Sequence, residues 1–243
     1  MTADHKVIMT IPEINSGHPD QVLKDRFTNL WQRCLTDGCF SDPEPIWRSV
    51  ERYYSELHRH YHDKSHLVHC LAELDSAGDQ MSQVDPIELA VWFHDIIHEP
   101  AQSDNEARSA QLFRALADGF MDPAFVQTVV DLIMVTTHRD PPQVQNQQYI
   151  CDIDLSSFGV SWDRFLQDSI NLQQEFSGPI KDYYSGKQIF LGSLLDRPRI
   201  FFTEFFYDRY ERRARENIRR ILQLIEERGT INTDESLLPK SDP

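Results

Sequence analysis

The sequence predicts an all-α domain, and three observations carry that reading. Apolar residues recur at three- and four-residue spacing along almost the whole chain. Alternating apolar and polar runs are almost absent. The nine glycines are dispersed and form neither a GxGxxG nor a GxxxxGK[ST] phosphate cradle. With 243 residues, 40% of them apolar and 26% charged, the chain can bury a core without disulfide or metal support.

The elements follow in order. Phe27, Leu30, Trp31 and Cys34 mark a first helix before Gly38. Trp47, Val50, Tyr53, Tyr54 and Leu57 mark a second, after the turn at 41–45. Leu67, Cys70, Leu71 and Leu74 form a third, ending near Gly78. Asp85-Pro86 opens a fourth as a cap and first-turn pair, with Leu89, Val91, Trp92, Phe93 and Ile96 inside it. Segments 103–117, 123–137, 149–158 and 162–176 carry the same period. The run Tyr183-Tyr184-Ser185-Gly186-Lys187 reads as a loop between helices that could cover a cleft. A long last helix spans 199–228 and stops at Gly229. The expected organisation is one domain over 19–230, a flexible N-terminal tail at 1–18 and a disordered C-terminal tail at 231–243.

Charge narrows the function. Lys and Arg total 24 against 39 Asp and Glu, a net charge of −15, which repels nucleic-acid polymers. A small phosphorylated substrate stays possible, because one metal or a few basic groups can reverse the field inside a cleft. Cys34, Cys39, Cys70 and Cys151 form no CxxC pair, as suits free thiols in a reducing compartment. The N-terminal residues do not read as a signal peptide, and no apolar run is long enough to span a membrane. A cytoplasmic address is expected. Oligomeric state is not legible.

The ten histidines are unevenly placed. His60, His62, His66 and His69 crowd one segment. His94-Asp95 and His98 lie in an apolar stretch, WFHDIIHEP, and His138 stands alone. A carboxylate set among Trp92, Phe93, Ile96 and Ile97 is costly unless compensated, and a divalent cation compensates it. His62 and His66 share an edge if their helix begins near Asp63; His94 and Asp95 are expected inside an apolar helix, with His98 one turn beyond His94 on the same face. Asp152 and Asp154 follow in a buried-looking CDIDLSSFG.

The order His66, His94-Asp95 and a distant Asp in a DxDL setting resembles the HD superfamily of metal-dependent phosphohydrolases, over about residues 50–225. His62-Asp63-x-x-His66, Asp154-Leu155-Ser156, the stretch DNEARSA at 104–110 and TTHRD around His138 are similar to further steps of that family. The resemblance implies an HD-domain helical bundle. It also implies one divalent ion (Mn²⁺, Fe²⁺, Zn²⁺, Ni²⁺ or Mg²⁺) held by His66, His94, Asp95 and Asp154, with Asp152 the alternative last ligand. The implied reaction is attack of metal-activated water on a small phosphorylated metabolite, a nucleotide or related phosphoester. His62 or His98 would shuttle the proton, and His138 would be a polar cleft residue. Glu106 is a candidate to steady a ligand, and Lys187, Arg209 and Arg213 are candidates to reach a phosphate. The chain departs from some branches of the family, which carry an acidic residue where His98 stands. Only His138 lies where the two extra histidines of di-iron oxygenases would be, which favours a mononuclear site. An iron-dependent oxygenase and a non-catalytic nucleotide-binding module are the alternatives.

Overall fold

The computed structural model describes residues 19–100 and 102–231. The tail expectations at 1–18 and 232–243 fall outside that range. Among the described residues every regular element is helical. The first five helices are α1 (Pro19–Arg33), α2 (Pro43–Tyr53), α3 (Lys64–Ala77), α4 (Val84–Phe93) and α5 (Asn105–Ala117). The rest are α6 (Pro123–Val135), α7 (Gln145–Leu155), α8 (Trp162–Glu175), α9 (Ile180–Asp196) and α10 (Glu204–Arg228). Single 3₁₀ turns follow α3 and α7, at Gly78–Gln80 and Ser156–Gly159.

Helix α4 organises the bundle. Each residue from Pro86 to Phe93 is buried, and a helix apolar on every side belongs in the interior. It packs against α1, α3, α5, α6 and α7. Aromatic rings fill the α1–α2–α4 junction: Phe27 meets Trp92 edge-on at 5.3 Å, and Trp47 meets Trp92 at 6.2 Å.

Helix α10 locks the far side. Gly159 is glycine because a Cβ there would come within 2.5 Å of Tyr210 Cβ. Asn217 Nδ2 donates to the carbonyls of Phe158 (2.8 Å) and Val160 (3.0 Å), so α10 grips the turn that follows α7.

Four boundaries differ from the sequence reading, each for a physical reason. Residues 180–196 form helix α9 instead of a loop at 183–187, because burial of Tyr184, Leu191 and Leu194 on one face outweighs the low helix propensity of Gly186 and Gly192. Helix α10 starts at Glu204, not 199, because side chains hold the preceding amides: Glu211 accepts from Ile200 and Phe201, and Asp152 accepts from Phe202 and Thr203. Helix α2 stops at Tyr53, and Leu57 is 97% exposed. Ile231, assigned to the tail, is buried, and its N–H donates to Tyr184 Oη at 3.0 Å.

The segment after α2 turns so that the Arg59 side chain runs inward. Its guanidinium donates to the carbonyls of His62 (2.8 Å), Asp95 (2.7 Å) and Ile96 (2.8 Å), and its Nε to Glu56 (3.0 Å). One planar fork therefore ties the chain entering α3 to the chain leaving α4. Replacing Arg59 by Met should cost about 3 kcal/mol in urea unfolding, since buried carbonyls lose charged donors. Arg59→Lys should recover less than half of that loss, because an ammonium cannot span the three carbonyls.

Candidate metal centre

The site begins with how α4 ends. Helix α4 ends at Phe93, so His94 caps it and Asp95 lies in the turn beyond, not inside the helix as the sequence pattern implied. The last carbonyls of α4 are all satisfied locally. Ala90 accepts from His94 N (2.8 Å), Val91 from His94 Nδ1 (2.9 Å), Trp92 from Tyr54 Oη (3.2 Å) and Phe93 from Ile96 N (3.2 Å). His94 thus caps its own helix. The bond to Val91 fixes the Nδ1–H tautomer and leaves the Nε2 lone pair facing outward.

Helix α3 supplies the facing imidazole. Asp63 is its N-cap, accepting from Ser65 N at 2.7 Å, and His66 in the first turn is buried. Helix α7 supplies Asp154. His138 Nε2 donates to Asp154 Oδ2 at 2.8 Å, so the other oxygen faces the histidines. His138 itself sits at φ 53°, a left-handed conformation, with its carbonyl held by Arg197 Nη2 at 3.2 Å.

His66, His94, Asp95 and Asp154 each place a ligating atom within 4.8 Å of the others. His94 Nε2 lies 2.9 Å from Asp95 Oδ2 and 3.6 Å from Asp154 Oδ1; His66 Nε2 lies 3.4 and 3.5 Å from the same two carboxylates. Burial opposes charge on all four groups, yet their neighbours hold both imidazoles well above their usual range and both carboxylates well below theirs: Cys70 and Tyr61 act on His66 ahead of the carboxylates, Asp95 acts on His94, His94 on Asp95, and the His138 hydrogen bond on Asp154. His94 Nε2 is buried and has no hydrogen-bond partner. His94 Nε2 and Asp95 Oδ2 stand 2.9 Å apart, a contact that calls for a cation between them, either a proton or a metal ion. The residues present therefore fit a divalent ion with a mixed nitrogen and oxygen shell.

Asp152 does different work. It is fully buried and accepts from Phe202 N (2.8 Å), Thr203 N (2.8 Å) and Thr203 Oγ1 (2.7 Å), which anchors the chain entering α10. Burial pushes its carboxyl up to about 6 despite those three donors. The alternative last ligand is thus a structural acid, and Asp154 is the one that joins the cluster.

The cluster opens on a cleft of about 280 Å³. His62, Glu106, His138 and Lys187 line it, as do Phe158 and Phe190. His98 is set behind His62 and does not line it, because the chain past Asp95 is not helical. Glu175, at the end of α8, organises both rings. Its Oε1 accepts the three successive amides of His60, Tyr61 and His62 at 2.7–2.8 Å. Its Oε2 accepts from His62 Nδ1 at 2.6 Å and lies 3.3 Å from His98 Nε2. Burial opposes the Glu175 anion, but His62 and His98 dominate and hold its carboxyl far below the usual range. Arg209 and Arg213 do not line the cleft. Arg209 pairs with Glu73 at 3.6 Å, and Arg213 donates to the Gly159 carbonyl at 3.4 Å. His69 bonds Ser156 Oγ at 2.8 Å, and burial keeps it neutral by lowering it to about 4.

Glu175 and Arg59 were missed at the sequence level. No spacing signal links Glu175 to a histidine 113 residues away. No family model, curated protein or solved structure matches the chain.

Two outcomes test this geometry. Asp152→Ala should cost about 3 kcal/mol of stability, read by urea unfolding, while the protein retains whatever metal it binds. Burial lowers Lys187 to about 8, so its charge is present below that pH and lost above it. Sulfate binding should weaken by about tenfold as pH rises through that value. Lys187→Met should bind weakly at every pH and show no such step.

Proposed function

We propose that this chain is a divalent-metal-dependent phosphohydrolase acting on a small phosphoester, of which a nucleotide is one kind. The observation that carries the reading is the convergence of His66, His94, Asp95 and Asp154 at the floor of an open cleft, with the His94 Nε2 lone pair committed to no protein donor. An ion held there supplies Lewis acidity, activating water and offsetting charge on the phosphoryl oxygens.

The chain's own groups do the rest. His62 Nδ1–H is fixed on Glu175, so Nε2 is the atom that faces the cleft and can carry a proton to a leaving oxygen. Lys187 offers an ammonium to a second phosphoryl oxygen. His138 holds Asp154 in orientation. Leu155, Phe158 and Phe165 give the cleft dry walls, which strengthen each charge interaction within it. This reading is compatible with the HD superfamily resemblance and with its helical architecture.

The oxygenase alternative needs a second ion. His62, His98 and Glu175 also bring three ligating atoms within 4.8 Å of one another. However, His62 Nδ1 is already a donor to Glu175 at 2.6 Å, and the other Glu175 oxygen accepts three backbone amides, so this trio is satisfied by the protein's own hydrogen bonds. A mononuclear centre is the reading those bonds favour.

Elemental analysis of the protein purified without chelator, followed by a phosphoester panel with that metal added, tests the proposal. The expected result is one equivalent of a divalent metal per chain, lost in a folded Asp95→Ala variant. His62→Asn should keep the metal and lose about 10²–10⁴-fold in kcat. No metal bound, and none taken up on incubation with Mn²⁺, Fe²⁺ or Zn²⁺, would overturn the reading. Two equivalents, one of them lost in Glu175→Gln, would replace it with a dinuclear centre.

A further inference from the structure

Helix α9 separates the cleft from a second hollow of about 340 Å³. The two spaces share Phe158, Leu172, Lys187 and Phe190 in their walls, so a polar cleft and an apolar annex adjoin one another there. Phe176 and Leu191 complete the annex wall. Few polar groups reach it. Tyr183 Oη donates to the Ser169 carbonyl at 3.0 Å and accepts from Lys187 Nζ at 3.3 Å, so the hydroxyl is already used. Asp182 stands at the exposed rim. A nucleobase or sugar placed there would leave its donors and acceptors unmatched, which is costly. Lys187 sits at the junction of the two spaces, and it has no ion-pair partner among the described residues. The one cation of the groove is therefore held where a head group would end and a tail begin.

We propose that the ligand of this groove is a phosphoester of an apolar alcohol, aryl or alkyl, with its phosphoryl group between the Asp95–Asp154 cluster and Lys187 and its carbon moiety in the annex behind Phe190. The head-group half rests on the phosphohydrolase reading; the tail half rests on the annex alone. The annex also suits modification by design. Gly186 lines it, and a Cβ built at Gly186 meets nothing within 4 Å, so a larger side chain there fills space without displacing neighbours.

The test uses n-alkylphosphonates from methyl to octyl, which resist hydrolysis, titrated calorimetrically into Mn²⁺-loaded protein beside inorganic phosphate, adenosine monophosphate and n-hexanol. Affinity should rise about two- to fourfold per methylene until the annex is full. Gly186→Leu, which narrows the annex, should flatten that series while leaving phosphate binding unchanged. Adenosine monophosphate should bind less tightly than hexylphosphonate. Phosphate binding with no chain-length gain would overturn the tail and leave the phosphohydrolase reading standing. Hexanol binding as tightly as hexylphosphonate, with both weakened in Gly186→Leu, would overturn the phosphoryl head group and that reading with it. A dimer that dissociates in Phe190→Ser, with no chain-length effect, would assign the annex to a second copy of the chain and overturn the proposal.

Discussion

The Arg59 guanidinium is the interaction on which the site depends. Three carbonyls from two separate segments converge on one planar cation inside the protein. That fork ties the turn carrying Asp95 directly to the loop carrying His62. A carbonyl triad can be read by a guanidinium because its donors are fixed in one plane. The result is a charged group that binds nothing from solution and yet sets the distance between the His62 side of the cleft and the carboxylates on its floor.

The four groups that converge on one point come from three different kinds of local structure. His66 is in the first turn of α3, His94 and Asp95 are in a turn beyond α4, and Asp154 is near the end of α7. Two of them are held by a partner that takes the other polar atom: Val91 for His94, His138 for Asp154. Such anchoring makes the geometry independent of any ion and leaves the remaining lone pairs pointing inward. Glu175 applies the same device to His62, with an additional grip on three consecutive amides.

How much of this was legible in the sequence follows from range. Helical periodicity is local, so the all-α class and most helices could be read from it. His94 and Asp95 stood out because polar residues inside an apolar run are a visible anomaly, whereas His66 and Asp154 were singled out by the resemblance of their order and setting to the HD superfamily. Glu175 did not, because it is one of 39 acidic residues and all of its partners are distant in sequence, His62 113 positions away. Asp152 and Asp154 were hard to separate, since both sit among apolar neighbours and only the tertiary location of Phe202 and Thr203 distinguishes them. Helix α9 was read as a loop because Gly186 and Gly192 mask a packing face that only its neighbours reveal. Arg209 and Arg213 carried the right charge on the wrong side of α10, where Glu73 and the Gly159 carbonyl meet them.

The burial of α4 on every side has a kinetic consequence. Amide groups in the most enclosed helix open only when much of the bundle opens with them, whereas α9, with Ile189 and Phe190 facing outward, has less to lose. The floor of the cleft is therefore attached to the slowest-exchanging element of the protein and its roof to a faster one. Hydrogen exchange would separate the two by lifetime, with slow amides beneath the site and faster ones above it.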